Sequence, residues 1–447
     1  MNTLFIFRRD FRIRDNTGLN SLLENNDTIF PIFIFTPEQI TNNTYKSDNC
    51  VQFMVKSLFN LEKYIEITMC YGIIENVIED IVYKNNITKI CVNTDYTPYA
   101  IKREENIKKL AEKLKISFIY YHDILLFEPG TILNSTGDVY KKFTPFYNTI
   151  IKKKVPNVKN LKLKNIKKPI TKFSINSSKI INLYIKNDNI HIEGGRDNAI
   201  KILKNIKNFS QYNTTHNYLS CDTTNLSAYL KFGCISIREA YHCIKNNKNK
   251  ALLRQLIWRE FYYCIGYGYI GRFGKPMNII YENIKWDNNK HKFKLWCNGM
   301  TGFPIVDACM TQLNNTGYMH NRGRLIVASF LIKNLHINWK WGEKYFATKL
   351  VDYDPLVNQG NWEWVAGCGA DSMPYFRVFN PWLQSAKYDI DCTYIKKWLP
   401  VLKDVENKAI HKWDLYYSSY KINYYKPIVD YNISKMEMLV RYKKIFS

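Results

Sequence analysis

Four short apolar runs near the start of the chain alternate with stretches of helical periodicity. The apolar runs are residues 2–7, 29–35, 88–92 and 117–121. The helical patterns between them include Cys50 to Glu66 and Ile101 to Leu114. Strands that are apolar on both faces and alternate with helices are typical of a parallel sheet that helices cover on both sides. The pattern therefore predicts an α/β domain with a doubly wound parallel sheet over residues 1–130.

The pattern becomes almost wholly helical after Gly194 and Gly195. The predicted helices are residues 196–208, 236–247, 250–266, 303–316, 318–335 and 340–350. No convincing strand pattern follows, so we predict an all-α domain over residues 196–447 and a connecting segment over residues 131–195. Within that segment, residues 151–172 contain nine lysines and no acidic residue. This composition favours a linker that crosses the surface, with a supplementary contact to phosphates as the alternative.

The charge and cysteine content of the 447-residue chain restrict its class. A formal net charge of +25 favours an anionic partner, most commonly a nucleic acid, although a general bias towards lysine is an alternative source of the charge. Eleven cysteines without a CxxC pair or a zinc-type Cys/His cluster predict neither disulfides nor a metal site. No apolar run in the sequence has the length or the pattern that would predict a membrane span or a signal peptide. We expect an intracellular monomer, cytoplasmic or nuclear, that does not associate with membranes.

An arginine-rich segment, FRRDFRIRDN, follows the first predicted strand. Its arginines lie near the carboxyl edge of the predicted sheet, where ligands of such folds bind. They are Arg8, Arg9, Arg12 and Arg14. Because no GxGxxG motif is present, an ordinary dinucleotide site is not expected there. The interpretation that we favour is that these arginines pair with Asp10, Asp15 and other acids at a domain interface.

The segment DYDPLVNQGNWEW combines aromatic and polar side chains in a way that a plain core would not. Asp354 followed by Pro355 predicts the start of a helix. On that helix Asn358 and Trp362 lie one turn apart on one face, whereas Trp364 points nearly the opposite way. The helix is therefore expected to present an amide and an indole to one neighbour and a second indole to another.

A second predicted helix, from Tyr318 to about Leu335, has the same mixed character. Polar residues lie at helical spacing beside a large apolar face. They are His320, Asn321 and Arg324. Buried polar groups need hydrogen-bond partners, and a bound polar cofactor would supply them.

Long motifs in this half of the chain closely resemble the flavin-binding domain of the DNA photolyase and cryptochrome family. They are TGFPIVDACMTQLNNTGYMHNRGRLIVASF, WEWVAGCGADSMPYFRVFNP and three tryptophans in register. The resemblance is nearly continuous from about Ser210 to Trp413 and looser in the N-terminal third. It implies light-dependent repair of cyclobutane pyrimidine dimers in UV-damaged DNA, by electron transfer from photoexcited reduced FAD in the helical domain.

The resemblance also implies which residues bind FAD. The phosphate-binding group would consist of Tyr212, Thr223, Thr224, Asn225, Leu226 and Ser227, with Arg259 reaching the same phosphates. Arg324 and Asp352 would form an ion pair beside the flavin ring. Asp354 would contact the ring edge, and Asn358 would face the flavin N5 atom.

A further set of residues is implied to bind the lesion or to carry electrons. Trp258 and Trp364 would form two walls of an aromatic slot for the extruded dimer, and Gln255 would bind a base edge. The remaining DNA-binding residues would be Asn321, Arg322 and Arg377. The chain of tryptophans from the flavin to the surface would be Trp362, Trp339 and Trp286.

Local departures from the family pattern bear on the type of activity. Enzymes that repair the (6-4) photoproduct have histidines where this chain has Asn321 and Leu325, so a cyclobutane dimer is the favoured substrate. The DASH-type enzymes, which act on single-stranded DNA, also have glutamine at the position of Gln255. They do not share the tryptophan at position 364, so these two positions point in different directions. Asn358 favours repair over the remaining alternative, a cryptochrome-type photoreceptor.

A second, light-harvesting chromophore is often bound in the first domain of this family. The resemblance leaves a deazaflavin or a folate open. Folate-binding members have a glutamate at the position that we match to Ala100, which disfavours folate.

Overall fold

The computed structural model describes residues 1–446 and places a five-stranded parallel sheet in the first domain. The strand order is β3-β2-β1-β4-β5. Its elements are β1 (Asn2–Ile6), α1 (Thr17–Glu24), β2 (Thr28–Phe35), α2 (Pro37–Ile40), α3 (Asp48–Glu62), β3 (Thr68–Tyr71), α4 (Ile74–Asn85), β4 (Lys89–Asn93), α5 (Pro98–Lys113) and β5 (Ser117–Tyr121). All four strand pairings are parallel. The doubly wound α/β domain is thus confirmed, and its switch point lies between β1 and β4.

Strand β3 was missed by the periodicity of the sequence. Its four residues, TMCY, are too few for an apolar run to stand out. The outer edge of β3 is covered by the connecting segment, where the Tyr71 N–H donates to the Phe173 carbonyl and the Ile175 N–H donates to the Met69 carbonyl. The segment also pairs with the beginning of β2, at Ile29. The connecting segment therefore protects a sheet edge that would otherwise be open.

The connecting segment also contributes two helices, α6 (Phe143–Ile150) and α7 (Ser177–Ile180). The remaining helices are α8 (Arg196–Lys204), α9 (Tyr212–Thr215), α10 (Ser227–Lys231), α11 (Ile237–Asn246), α12 (Lys250–Gly268), α13 (Lys290–Asn298), α14 (Pro304–Thr316), α15 (Asn321–Lys333), α16 (Trp339–Lys349), α17 (Pro355–Ala366), α18 (Pro381–Tyr388), α19 (Thr393–Trp398), α20 (Asn407–Ile410), α21 (Trp413–Tyr416) and α22 (Tyr431–Lys444). Short 3-10 segments occur at Ile181–Leu183, Ile206–Phe209, Ile270–Arg272, Ile279–Asn283, Pro400–Leu402 and Tyr417–Ser419. No strand is present in residues 196–446, which confirms the all-α region.

Two predicted helix starts can be compared with the structure. Asp354 caps α17 with Pro355 in its first turn, as the sequence predicts. The helix expected from Tyr318 begins only at Asn321. The reason is that the His320 imidazole accepts a hydrogen bond from the Arg322 N–H and so acts as the N-cap.

Arginines near the carboxyl edge of the sheet join the two domains, as we favoured from the sequence, but their carboxylate partners are not the predicted Asp10 and Asp15; Asp15 pairs with Arg238 instead. The Arg9 guanidinium donates to the carboxylates of Asp95 and Asp354 and to the hydroxyl of Tyr263. Arg12 pairs with Asp123 at 2.5 Å and also donates to the Gly233 carbonyl. The contacts with Asp354, Tyr263 and Gly233 bind the sheet domain to the helical domain, whereas those with Asp95 and Asp123 lie within the sheet domain.

A close backbone approach accompanies these ion pairs. The Phe11 N–H donates to the Phe232 carbonyl at 3.0 Å, and a Cβ added at Gly233 would overlap the Arg9 carbonyl. Gly233 also has a φ of +60°, which other residues rarely adopt. Glycine is therefore required at the point where the two domains meet.

Across residues 1–446, none of the helices has the length and apolar character needed to cross a membrane.

We expect the Arg9→Met substitution to destabilise the protein strongly. It would leave the carboxylates of Asp95 and Asp354 buried without their cation, which typically costs about 3–5 kcal/mol of unfolding free energy. Urea denaturation followed by circular dichroism measures this loss. The matched control is Arg14→Met. The Arg14 side chain is 53% exposed and lies 3.5 Å from the Glu239 carboxylate. Its replacement should lower the unfolding free energy by less than about 1 kcal/mol. Equal losses in the two variants would contradict the role assigned to Arg9.

Candidate active site

A cavity of about 310 Å³ opens between α12, α15 and α17 in the helical domain. All of the residues that the sequence assigned to the cofactor line it, together with two assigned to the lesion and Trp362, assigned to the electron route. Those in the lining are Tyr212, Thr223, Thr224, Asn225, Leu226, Ser227, Gln255, Arg259, Asn321, Arg324, Asp352, Asp354, Asn358 and Trp362. Residues from distant parts of the sequence thus converge on one concave site, as a ligand pocket requires.

The cavity lining contains polar groups without a protein partner. The Nη2 atom of Arg259 and the Oδ1 atom of Asn225 are buried, and neither has a hydrogen-bond partner among the described residues. The Arg259 Nη1 atom is held by the Ile124 carbonyl at 2.8 Å, which fixes the guanidinium in place. Buried polar groups are normally satisfied, so a ligand with phosphate oxygens and hydroxyl groups fits this cavity.

An ion pair is fixed along the wall of the cavity. The Arg324 Nη2 atom lies 3.1 and 3.0 Å from the two carboxylate oxygens of Asp352, and its Nε donates to the Met319 carbonyl. Asp352 also accepts a hydrogen bond from the Ser227 hydroxyl at 2.7 Å. The predicted Arg324–Asp352 pair is therefore present, whereas the Ser227 hydroxyl is already engaged and leaves backbone groups for a ligand.

The orientation of Asn358 is set by Glu343, a residue that the sequence analysis missed. The Asn358 Nδ2 atom donates to the Glu343 carbonyl at 3.2 Å and to its carboxylate at 2.9 Å. The amide oxygen of Asn358 is therefore the atom left to accept a hydrogen bond within the cavity. Burial raises the pKa of Glu343 to about 7. A glutamate in an amphipathic helix is usually solvated, so no sequence signal distinguished it.

Asp354 lines the cavity but is held mainly by the protein. Its Oδ2 atom accepts hydrogen bonds of 2.5 Å from both Arg9 and the Tyr263 hydroxyl. Burial alone would raise the pKa of this carboxyl, but Arg9 and Arg259 hold it below its usual value. The position predicted for a contact with the flavin edge thus also forms part of the domain interface.

The three tryptophans of the predicted chain lie at different depths. Trp362 lines the cavity, and its ring packs against Phe346 at 5.0 Å. Trp339 is buried in the same hydrophobic cluster, and Trp286 packs against that cluster while remaining partly exposed. A Cβ at Gly342 would overlap the Trp362 ring, so the absence of a side chain there makes room for it.

Several predicted lesion-binding residues lie outside the cavity lining. Trp258 and Trp364 are partly buried, and Arg377 is exposed. The Arg322 guanidinium donates to the Asn217 side chain at 2.5 Å and lies 4.4 Å above the Tyr388 ring. Gln255 and Asn321, by contrast, both line the cavity and are exposed, so they mark its mouth.

A second cavity, of about 530 Å³, lies at the carboxyl edge of the sheet. Its lining includes Arg8 and Arg103, and in each guanidinium the Nε and Nη2 atoms are buried without a hydrogen-bond partner in the described chain. Burial and the neighbouring Arg103 lower the pKa of Arg8 to about 9. Lys231 and Tyr353 line both cavities, so the two share a wall. An anionic group in the second cavity would satisfy both arginines.

Comparison with known proteins agrees with this arrangement. Residues 3–162 match the family model described as DNA photolyase, and residues 252–444 match the one described as FAD binding domain of DNA photolyase. The deoxyribodipyrimidine photo-lyase of Buchnera aphidicola subsp. Acyrthosiphon pisum is 35% identical to this chain. The match covers 99% of this chain and 96% of that protein. The chain belongs to the DNA photolyase and cryptochrome family. The Escherichia coli deoxyribodipyrimidine photo-lyase is 30% identical, and its match covers 98% of this chain and 97% of the relative.

Solved structures of the family have the same fold. The archaeal photolyase from Sulfolobus tokodaii, described with two FAD molecules, is 38% identical with a TM-score of 0.90, and the match covers 99% of this chain and 100% of that one. The Synechocystis cryptochrome is 27% identical, also with a TM-score of 0.90, and 98% of each chain is covered. Photolyases and cryptochromes therefore match this fold equally well.

The buried carboxyl of Glu343 predicts a pH dependence of stability. Its pKa is about 7 in the folded protein and near 4.5 in a free side chain, so the folded state binds the proton more tightly between these values. The free energy of unfolding should therefore fall as the pH rises from about 5 to about 7. The decrease should be at most on the order of 1 kcal/mol per pH unit.

The Glu343→Gln variant, which keeps an oxygen acceptor for Asn358, should lose this part of the pH dependence. Urea denaturation at several pH values measures it. Glu112→Gln, at an exposed position on α5, is the matched control and should leave the slope unchanged. Parallel pH profiles for Glu343→Gln and the unmodified protein would contradict the prediction.

Proposed function

We propose that this protein binds FAD in the first cavity and uses light to repair cyclobutane pyrimidine dimers in DNA. The observation that carries the proposal is the composition of that cavity. The cavity lining contains buried Arg259 and Asn225 groups without a hydrogen-bond partner, and also the exposed side chains of Gln255 and Asn321. The buried polar groups would suit a cofactor with phosphates and hydroxyl groups, and the exposed side chains would suit an opening towards a substrate.

The residues of the chain bind and orient the reactants, and none acts as a nucleophile. FAD, when bound, supplies the light absorption and the electron for the reaction. Arg259 and the 223–227 segment would hold its phosphates, and the Arg324–Asp352 pair would lie beside the ring. The Asn358 oxygen, oriented by Glu343, would accept a hydrogen bond from the ring edge. The apolar wall around Trp362 would exclude water.

The lesion would lie at the cavity mouth, against Trp258 and Trp364. Gln255 can bind a base carbonyl through its amide N–H, and Asn321 can bind either edge of a base because it offers a donor and an acceptor. Arg322 and Arg377 would supply positive charge for binding the DNA backbone. The amide at position 321 and the leucine at position 325 favour a cyclobutane dimer over a (6-4) photoproduct.

The decisive experiment is repair of a defined cyclobutane dimer by the chemically reduced holoprotein under blue light, with a dark control. Single- and double-stranded oligonucleotides are compared. We expect light-dependent loss of the dimer in both substrates. Repair confined to single strands would support a DASH-type enzyme, and no repair with FAD fully bound would favour the photoreceptor alternative.

Trp362 is proposed to be the first member of an electron route into the cavity, followed by Trp339 and Trp286. In the Trp362→Phe variant, light-driven reduction of bound oxidised FAD by an external thiol should slow by about tenfold or more, because the aromatic donor nearest the cofactor is replaced by one that is harder to oxidise. Dimer repair by the chemically reduced variant should remain nearly unchanged. Absorbance of the flavin measures the first rate.

The matched control for this route is Trp341→Phe. Trp341 lies on the same helix as Trp339 and packs against Phe293, but it does not line the cavity. Photoreduction should persist in this variant. If the two substitutions slow photoreduction equally, a specific route through Trp362 is wrong.

The second cavity is proposed to hold an anionic light-harvesting chromophore. Arg8 and Arg103 would bind its charged group, and the archaeal relative with two FAD molecules makes a flavin one candidate beside a deazaflavin. Ala100 disfavours a folate. The chain would function as a monomer, in the compartment that contains the DNA.

The Arg103→Gln variant should lose most of this second chromophore and retain FAD. Chromatography of the cofactors released on denaturation separates FAD, deazaflavin and folate and gives the stoichiometry of each. Lys102→Gln is the matched control, because the Lys102 side chain is 67% exposed and outside the cavity lining. Equal retention of the second chromophore by both variants would count against the arginine site.

A further inference from the structure

The indole of Trp258 lies on a phenylalanine from the connecting segment. The ring centroids of Trp258 and Phe143 are 3.6 Å apart, and the two planes differ by only 3°. Phe143 is the first residue of α6 and is 1% exposed, whereas Trp258 is partly exposed. One face of the indole is therefore covered by a buried ring, and Tyr262, one turn further along α12, packs at 5.8 Å with its plane tilted by 30°, so a base can reach only the part of the indole that these rings leave exposed.

The Phe143 ring is itself held on several sides. Phe261 packs against it edge-on at 5.7 Å, and the Arg254 guanidinium lies 4.7 Å from its centroid. Both Arg254 and Trp258 belong to α12, one turn apart. The phenylalanine is thus fixed between groups of the helix that carries Gln255 to the cavity mouth.

A tryptophan binds a base well only if its plane is already fixed. An indole without a supporting ring can rotate about two side-chain bonds, and binding must then restrict that motion. Parallel stacking on Phe143 removes this freedom before any ligand arrives. Because Phe143 covers one face of the indole, a base cannot stack on that face.

We propose that Phe143 is a positioning residue for lesion recognition. It orients the plane of Trp258 so that the free part of the indole is presented to the dimer. This inference rests on the proposed function, in which Trp258 stacks on the lesion. It also gives α6 a role at the substrate site, although that helix lies in the segment that connects the two domains.

The chain offers a matched control one turn along the same helix. Phe146 is fully buried and packs against Phe261 at 5.4 Å, so it supports the same helix pair as Phe143. Replacement of either phenylalanine by leucine removes a buried aromatic ring from α6. Only the substitution at Phe143 removes the surface on which Trp258 stacks.

The experiment measures binding of the FAD-loaded protein, in the dark, to oligonucleotides with and without a cyclobutane dimer. Phe143→Leu should weaken binding of the dimer about three- to tenfold, the range that corresponds to loss of an aromatic pair. Its affinity for undamaged DNA, its FAD content and its repair yield per bound dimer should not change. Phe146→Leu should leave dimer binding nearly unchanged.

A double-mutant cycle with Trp258→Leu tests whether Phe143 acts through the indole. In the Trp258→Leu background, Phe143→Leu should cause no further loss of dimer binding. Independent, additive losses, or equal losses for Phe143→Leu and Phe146→Leu, would overturn the positioning role while leaving the repair function intact. If Trp258→Leu alone leaves dimer binding unchanged, then both this inference and the proposed aromatic slot are wrong.

Discussion

The guanidinium of Arg9 is the interaction on which the arrangement of both cavities depends. It bridges the end of β4, through Asp95, to the first turn of α17, through Asp354. Its Nε also donates to the Lys231 carbonyl, at the end of α10. A buried guanidinium with several partners tolerates little displacement, because each lost hydrogen bond would leave a desolvated charge. The position of α17, and with it of Asn358 and Trp362, is thereby set relative to the sheet.

The buried arginines of the molecule fall into two groups. Those between the domains, such as Arg9, Arg12 and Arg238, have their charge balanced by aspartates. Three that line the cavities, Arg8, Arg103 and Arg259, have buried N–H groups without partners, although Arg8 also pairs with Glu104 at 2.6 Å and Arg12 has one such group at its Nε. Because unsatisfied buried donors are costly, the second group indicates where anionic ligands belong. The overall positive charge alone would not have separated these two uses of arginine.

Fold similarity does not decide between repair and signalling in this family, since a photolyase and a cryptochrome match the chain with the same TM-score. The distinction has to come from individual side chains. Asn358 is oriented by a buried glutamate, and Trp258 is oriented by a buried phenylalanine. Asn358 and Trp258 would each contact a ligand, whereas the residues that hold them in place, Glu343 and Phe143, would not. Such support reduces the reorganisation needed when ligand binds.

The sequence by itself determined the α/β and all-α halves, the bounds of several of the longer helices to within a few residues, and the cofactor-assigned residues that line the first cavity. It could do so because apolar periodicity and helix caps are local signals, and because long motifs of the family are retained. It did not reveal β3, which is only four residues long, or the start of α15, which depends on the cap at His320. The tertiary structure alone decided the partners of the key side chains. Arg9 and Asp354 are 345 residues apart in the chain, and Phe143 reaches Trp258 from the segment that connects the two domains. Such pairings arise only when separately formed elements pack together, so no local pattern in the sequence specifies them.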